Sequence, residues 1–83
     1  MKIENMRKVS AGSIKAFFSV DLEKIKIHGF KIIQQEGQEA WISPPDEKYT
    51  DKDGKVKYKK VVELNDLPLS GRIATAAMAE FNK

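Results

Sequence analysis

The sequence contains no cysteine and a single histidine, His28. Without cysteine the chain forms no disulfide and offers no thiolate to a metal. His28 has no second imidazole to complete a zinc site, and the spacing of the sequence assembles no nucleophile–base pair around it. The five glycines are scattered and form no phosphate-cradling loop. We therefore expect no metal, no cofactor, no small-molecule substrate and no enzymatic activity.

Long apolar runs are also absent. No stretch approaches the roughly 18 apolar residues of a membrane span. The opening residues Met1-Lys2-Ile3-Glu4 lack the charged-then-apolar plan of a signal peptide. We expect a cytoplasmic protein with no membrane partner.

The composition is that of a folded domain, with 41% hydrophobic and 33% charged residues in a chain of 83. We expect one domain over residues 1–83. A chain of this size buries only roughly 60% of the surface that it exposes when unfolded, so its stability is marginal without support. Since disulfides are excluded, oligomerisation is the remaining stabiliser, and we expect a homodimer. The net charge of +3 favours polyanionic partners only modestly.

Alternating apolar residues predict the first strands. Residues 2–9 give a weak strand signal, whereas residues 14–20 alternate in the period of a strand with one buried face. The apolar parity then shifts by one around His28-Gly29, as in a β-bulge or a bend between strands. A turn centred on Gly37 and a short strand over residues 40–43 follow, and Pro44-Pro45 ends that strand because proline donates no backbone hydrogen bond.

The last third of the chain predicts a charged hairpin and a helix. Residues 46–60 carry six lysines against four acidic residues, a net +2, and Asp53-Gly54 is a tight-turn dipeptide. Asn65-Asp66 supplies a helix N-cap, Pro68 fits the first turn, and the helix should run to about Phe81. The predicted fold class is α+β: a small antiparallel sheet of four to five strands with a C-terminal helix packed on it. One wide arc of that helix is apolar and comprises Leu67, Leu69, Ile73, Ala74, Ala77, Met78 and Phe81.

Two chemical interpretations of the hairpin can be compared. Asp51-Lys52-Asp53-Gly54 resembles a calcium loop, but Tyr49 and Lys60 stand where that motif needs ligands, so a plain turn is favoured. Lysines close to Trp41, Tyr49 and Tyr58 suit nucleic-acid binding, in which ammonium groups meet phosphates and rings meet bases. The alternative is that Trp41 and Tyr58 are core residues and that the lysines form a solvated face.

A series of short motifs occurs in order along nearly the whole chain. The most specific are the strand that contains Ile27-His28 and the segment from Ile42-Ser43-Pro44 to Asp53-Gly54. The others are Met1-Lys2-Ile3, Met6-Arg7, Lys15-Ala16-Phe17-Phe18-Ser19-Val20, Gly29-Phe30-Lys31-Ile32-Ile33, Gly37, Trp41 and the final helix. In these motifs and their spacings the chain resembles the SpoVG family, stage V sporulation protein G.

The resemblance implies a bacterial dimeric α+β domain associated with septation and sporulation control, several of whose relatives bind DNA or RNA. Family members are usually basic just after the proline that ends the fourth strand, where this chain has Asp46-Glu47. The residues expected to contact phosphates are Lys48, Lys55, Lys57, Lys59 and Arg72. The alternative function is a protein-interaction module of the division or septation machinery that touches no nucleic acid.

Overall fold

The computed structural model describes the whole chain, Met1–Lys83, as six strands and one helix. Four strands form one antiparallel sheet in the order β1-β2-β3-β4, and the last two form a separate antiparallel pair. The predicted α+β class is confirmed, although the strands divide into two sheets. The elements are β1 (Lys2–Ala11), β2 (Ile14–Asp21), β3 (Lys26–Ile33), β4 (Trp41–Ser43), β5 (Asp46–Thr50), β6 (Val56–Lys60) and α1 (Leu67–Phe81).

The core is small and lies between one face of the four-stranded sheet and the helix. Only eight of the 83 residues are buried. Phe18 and Phe30 pair across β2 and β3 with their rings stacked at 5.4 Å between centroids. The seven buried apolar residues are Ala16, Phe18, Val20, Phe30, Ile32, Ile73 and Ala77. Burial of this extent leaves much apolar surface outside the core, which agrees with the marginal stability expected for a chain of this length.

The parity shift around His28-Gly29 is a β-bulge. Along β2 the register advances two residues from Phe18 to Val20, whereas along β3 it moves three, from Phe30 to Ile27. Gly29 has a φ of +90°, a conformation that residues with a Cβ rarely adopt. The extra residue turns Ile27 toward the core on one side of the bulge and Phe30 toward it on the other.

The hairpin of β5 and β6 leaves the main sheet at Pro44-Pro45. Neither proline can donate to a ladder, so the pairing of β4 stops at Ser43. Pro45 packs against the bulge: its Cβ lies 3.6 Å from the position that a Cβ on Gly29 would occupy. The Pro45 carbonyl accepts a hydrogen bond from the Val61 amide at 3.1 Å, which closes the base of the hairpin.

The helix begins and ends as the sequence predicts. Asp66 is the N-cap, and its carboxylate accepts a hydrogen bond from the Leu69 amide at 3.0 Å. The predicted apolar arc is wrong at Leu67, which is 83% exposed because it lies at the first helical position, beyond the end of the core. The helix packs across β1 and β2. It falls short of the length and apolar character that a membrane crossing requires.

Gly29→Ala should destabilise the protein, because alanine would have to adopt the positive φ of the bulge, at a cost of about 1–3 kcal/mol. The same change at Gly71 is the matched control. Gly71 lies within α1 with open space around it, so Gly71→Ala should stabilise by about 0.5–1 kcal/mol. Urea unfolding of both variants measures the two effects, and equal effects of one sign would contradict the bulge.

Candidate nucleic-acid interface

The charged segment forms an exposed arm, defined here as residues 46–60. All ten residues of β5 and β6 are exposed, and the only neighbour of each strand is the other. Trp41 and Tyr58 are 52% and 64% exposed, so the interpretation of both as core residues is wrong. The arm therefore presents its lysines and tyrosines on both of its faces.

Cross-strand register divides the arm into two faces, since directly opposed residues project to the same side. Tyr49 opposes Lys57, and Lys48 opposes Tyr58. We name the faces after their tyrosines. The Tyr49 face consists of Glu47, Tyr49, Lys57 and Lys59, and the Tyr58 face of Asp46, Lys48, Thr50, Val56, Tyr58 and Lys60. Lys48 is thus separated from two of the lysines with which the sequence analysis grouped it.

The lysines of the Tyr49 face are paired with carboxylates. The Lys57 ammonium lies 3.0 Å from Asp51, and that of Lys59 lies 3.7 Å from Glu47. Both lysine side chains are more than half exposed, so these pairs contribute little to stability. Their electrostatic effect is local: each carboxylate offsets the positive potential that a phosphate would meet on this face.

On the Tyr58 face the ammonium groups are free. Neither Lys48 nor Lys60 forms an ion pair. The one carboxylate of this face, Asp46, is engaged by Lys31 of β3 at 2.9 Å. Sequence reasoning did not include Lys60 in the candidate site, because only the register of the two strands places it beside Lys48.

The ion pairs also explain the acidic positions after Pro45. Asp46 ties the start of the arm to β3 through Lys31, and both side chains of that pair are less than a third exposed. Glu47 pairs with Lys59 across the arm. Of the two carboxylates directly after Pro45, one therefore ties the arm to the sheet and the other pairs with a lysine on the opposite strand.

Asp51 organises the turn of the arm. Its Oδ1 accepts hydrogen bonds from the backbone amides of Asp53 and Lys55, each at 2.9 Å, and Gly54 has a φ of +78°. The turn predicted at Asp53-Gly54 is confirmed. The hydrogen bond from the Lys55 amide, and then the contact with the Lys57 ammonium, lower the pKa of the Asp51 carboxyl below 3.8. Lys55 lies in this turn, between the two faces.

Arg72 lies outside the arm, on α1. It borders a shallow depression on the outer side of the helix, together with Met1, Gly71, Thr75 and Ala79. The small residues Gly71, Thr75 and Ala79 are exposed there. The structure thus groups four of the five predicted contacts on the arm and places Arg72 on the helix.

His28 and Ser19 form a hydrogen-bonded pair within the bulge. The Ser19 hydroxyl lies 2.8 Å from Nδ1 of His28, and Ser19 is only 5% exposed. Neither residue lines any of the four surface depressions. The contact satisfies a buried hydroxyl beside the irregular ladder, which is a structural role.

The face of the main sheet that points away from α1 carries an apolar patch. Ile14, Ile33 and Trp41 are aligned across β2, β3 and β4, and Phe17 follows in the next row. None of the four packs against the core. Sequence reasoning missed this alignment, because the bulge between Ile14 and Ala16 changes which residues face outward. We call these four residues the open-face patch.

Comparison of the chain with protein-family models, with curated proteins and with solved structures finds no match. The resemblance to SpoVG stays a hypothesis that depends on the motifs themselves.

The lowered pKa of Asp51 predicts that the turn loosens in acid. A carboxyl whose pKa is depressed on folding stabilises the folded state above its ordinary value of 3.8 and loses that contribution as the pH falls through the lowered pKa. The amide chemical shift of Lys55 should therefore titrate with a midpoint below 3.8. Asp51→Asn keeps an oxygen acceptor but cannot ionise, so this titration should vanish. A midpoint at or above 3.8 would contradict the assignment.

Proposed function

We propose that this protein is a nucleic-acid-binding regulator of the SpoVG type that acts as a homodimer in the cytoplasm. The arm is the DNA- or RNA-binding element, and the mechanism involves no catalytic step. The link to septation and sporulation control depends on the ordered motifs that resemble the SpoVG family.

One observation carries the proposal: the lysines and tyrosines of the arm are exposed together on an isolated two-stranded hairpin. A two-stranded hairpin with neither face packed is marginally stable in water, so its stability depends on the turn at Asp51, the Asp46–Lys31 pair and any partner. Basic residues next to exposed rings are the combination that nucleic-acid binders use for phosphates and bases.

A dimer would present two such arms. Linked sites bind more strongly than either alone when both can engage the same ligand, so a modest charge on each arm would suffice. Phosphate contacts position a protein without reading sequence. We therefore expect sequence-tolerant binding.

Fluorescence anisotropy with labelled nucleic acids tests the proposal. Affinity should fall about tenfold or more between about 50 and about 200 mM salt, because phosphate contacts release counterions. Replacing Lys48, Lys55, Lys57 and Lys59 by Gln should weaken binding by similar factors on all sequences and flatten the salt dependence.

The control replaces four lysines outside the arm, Lys2, Lys15, Lys24 and Lys83, by Gln. Both variants lower the net charge from +3 by four, to −1. Equal losses in the two variants would show that overall charge, not the arm, drives binding. No binding by the wild-type protein at micromolar concentration would overturn the proposal.

The open-face patch supports the homodimer. Trp41 is 52% exposed and stands beside Ile33, and an aromatic side chain in an apolar surround is typical of the centre of a protein interface. Two cations of this face are paired, Lys26 with Glu4 and Lys31 with Asp46, whereas Arg7, opposite Phe17, forms no ion pair. The pairing reduces the repulsion that two copies of this face would meet.

Trp41→Glu should therefore shift the dimer toward monomer, raising the free energy of association by about 2 kcal/mol or more. Ile25→Glu is the control, because Ile25 is 59% exposed but lies outside the patch. Sedimentation equilibrium measures both. A wild-type monomer, or equal effects of the two changes, would refute this dimer surface.

The same patch supports the second candidate function, a protein-interaction module of the division or septation machinery. Contacts made by apolar burial resist salt, whereas phosphate contacts do not. A monomer that binds no nucleic acid would favour this alternative over the regulator.

A further inference from the structure

We propose that the Tyr58 face of the arm binds single-stranded nucleic acid, with the Tyr58 ring stacked on an unpaired base and Lys48 and Lys60 on the flanking phosphates. This inference deepens the proposed function and depends on it. It selects Tyr58 from the three rings that the sequence analysis placed near the lysines, and it adds Lys60, which was not among the expected phosphate contacts.

The distribution of ion pairs selects this face. Lys57 and Lys59 each have a carboxylate within 4 Å, so a phosphate approaching them also approaches Asp51 or Glu47. Lys48 and Lys60 have no carboxylate within 4 Å. Asp46 stands opposite Lys60, but its carboxylate is paired with Lys31 at 2.9 Å. At short range the repulsion between a carboxylate and a phosphate matches the attraction of an ammonium group, so paired lysines attract an anion less than free ones.

The Tyr58 ring is free for stacking. It is 64% exposed, against 41% for Tyr49 on the other face. The only stacked rings in the protein are Phe18 and Phe30, and the only ammonium group over a ring is that of Lys8 above Phe81. The Tyr58 hydroxyl also forms no side-chain hydrogen bond. The strand therefore positions the Tyr58 ring, and no other side chain stacks on it or forms a hydrogen bond with it.

The spacing suits a nucleotide chain. Lys48 stands directly opposite Tyr58, where Cβ atoms are about 5 Å apart, and Lys60 is two residues along the strand, about 7 Å away. Flexible four-carbon stems carry both ammonium groups past the ring. A base on the ring would therefore have two cations within reach of the neighbouring phosphates, one across the ladder and one along the strand.

Stacking on this ring requires an unpaired base. In a duplex both faces of a base are covered by its neighbours, so a side chain stacks on bases only in single strands, loops or ends. The face offers no amide or guanidinium fork that reads base edges in a groove, since its remaining residues are Asp46, Thr50 and Val56. Its chemistry fits a single strand better than a duplex.

Anisotropy titrations compare a single-stranded oligonucleotide of about ten nucleotides, as DNA and as RNA, with the duplex DNA of the same sequence. Wild-type protein should bind the single strands more tightly. Tyr58→Val should lower single-strand affinity about tenfold, the order contributed by one stacked base. Tyr49→Val is the matched control on the opposite face, and it should change the affinity by less than about threefold.

Two further variants complete the experiment. Tyr58→Phe retains the ring and should bind like wild type, since the hydroxyl has no partner. The double variant Lys48→Gln, Lys60→Gln should release about two fewer counterions on binding a single strand. The slope of log affinity against log salt concentration should become shallower accordingly. Valine favours strands as tyrosine does, and the Lys55 amide shift reports whether the turn of each variant is intact.

The outcomes separate this inference from the function on which it depends. If the wild type binds the duplex as tightly as the single strands, or if Tyr58→Val costs no more than Tyr49→Val, the stacking face is wrong while nucleic-acid binding stands. If the wild type binds none of the three ligands, the proposed function fails and this inference fails with it.

Discussion

The architecture depends on the β-bulge at His28-Gly29. The extra residue in β3 lets Ile27 and Phe30, which differ in parity, both contribute to one core. Gly29 adopts a positive φ, and Pro45 packs against it where the backbone carries no side chain. The arm starts at Asp46, directly after this contact, so the irregularity that completes the core lies at the base of the candidate interface.

The small core constrains what the rest of the surface can do. With only eight buried residues, the chain has little internal burial to offset the entropy of folding. The open-face patch and the exposed arm are the two places where further burial or charge neutralisation by a partner would add stability. A ligand or a second copy bound at either place would therefore stabilise the elements that it contacts.

Local signals in the sequence predicted the elements well. The parity shift at Gly29, the stop at Pro44-Pro45, the turn at Asp53-Gly54 and the cap at Asp66 are all encoded within a few residues, and the structure confirms each. The alternation predicted for residues 14–20 holds from Ala16 to Val20 but is wrong at Ile14, which a bulge turns to the other face of the sheet. The site was predicted less well because faces depend on register between strands. Lys57 and Lys59 are close to Lys48 in sequence but project to the other side, and the bulge near Ile14 hides the alignment of the open-face patch.

The count of lysines in the arm is a poor guide to where an anion would bind. Asp51, which organises the turn, and Glu47, which faces Lys59 across the strands, lie beside Lys57 and Lys59 and thereby offset the charge of one face. The Asp46 carboxylate forms an ion pair with Lys31 at the base of the arm. The Tyr58 face is therefore left with two free ammonium groups and an uncovered ring. The interactions that fold the arm thus determine which of its cations remain available. Each face carries two lysines and one carboxylate, so the two faces differ only through the ion pairs that form once the hairpin has folded.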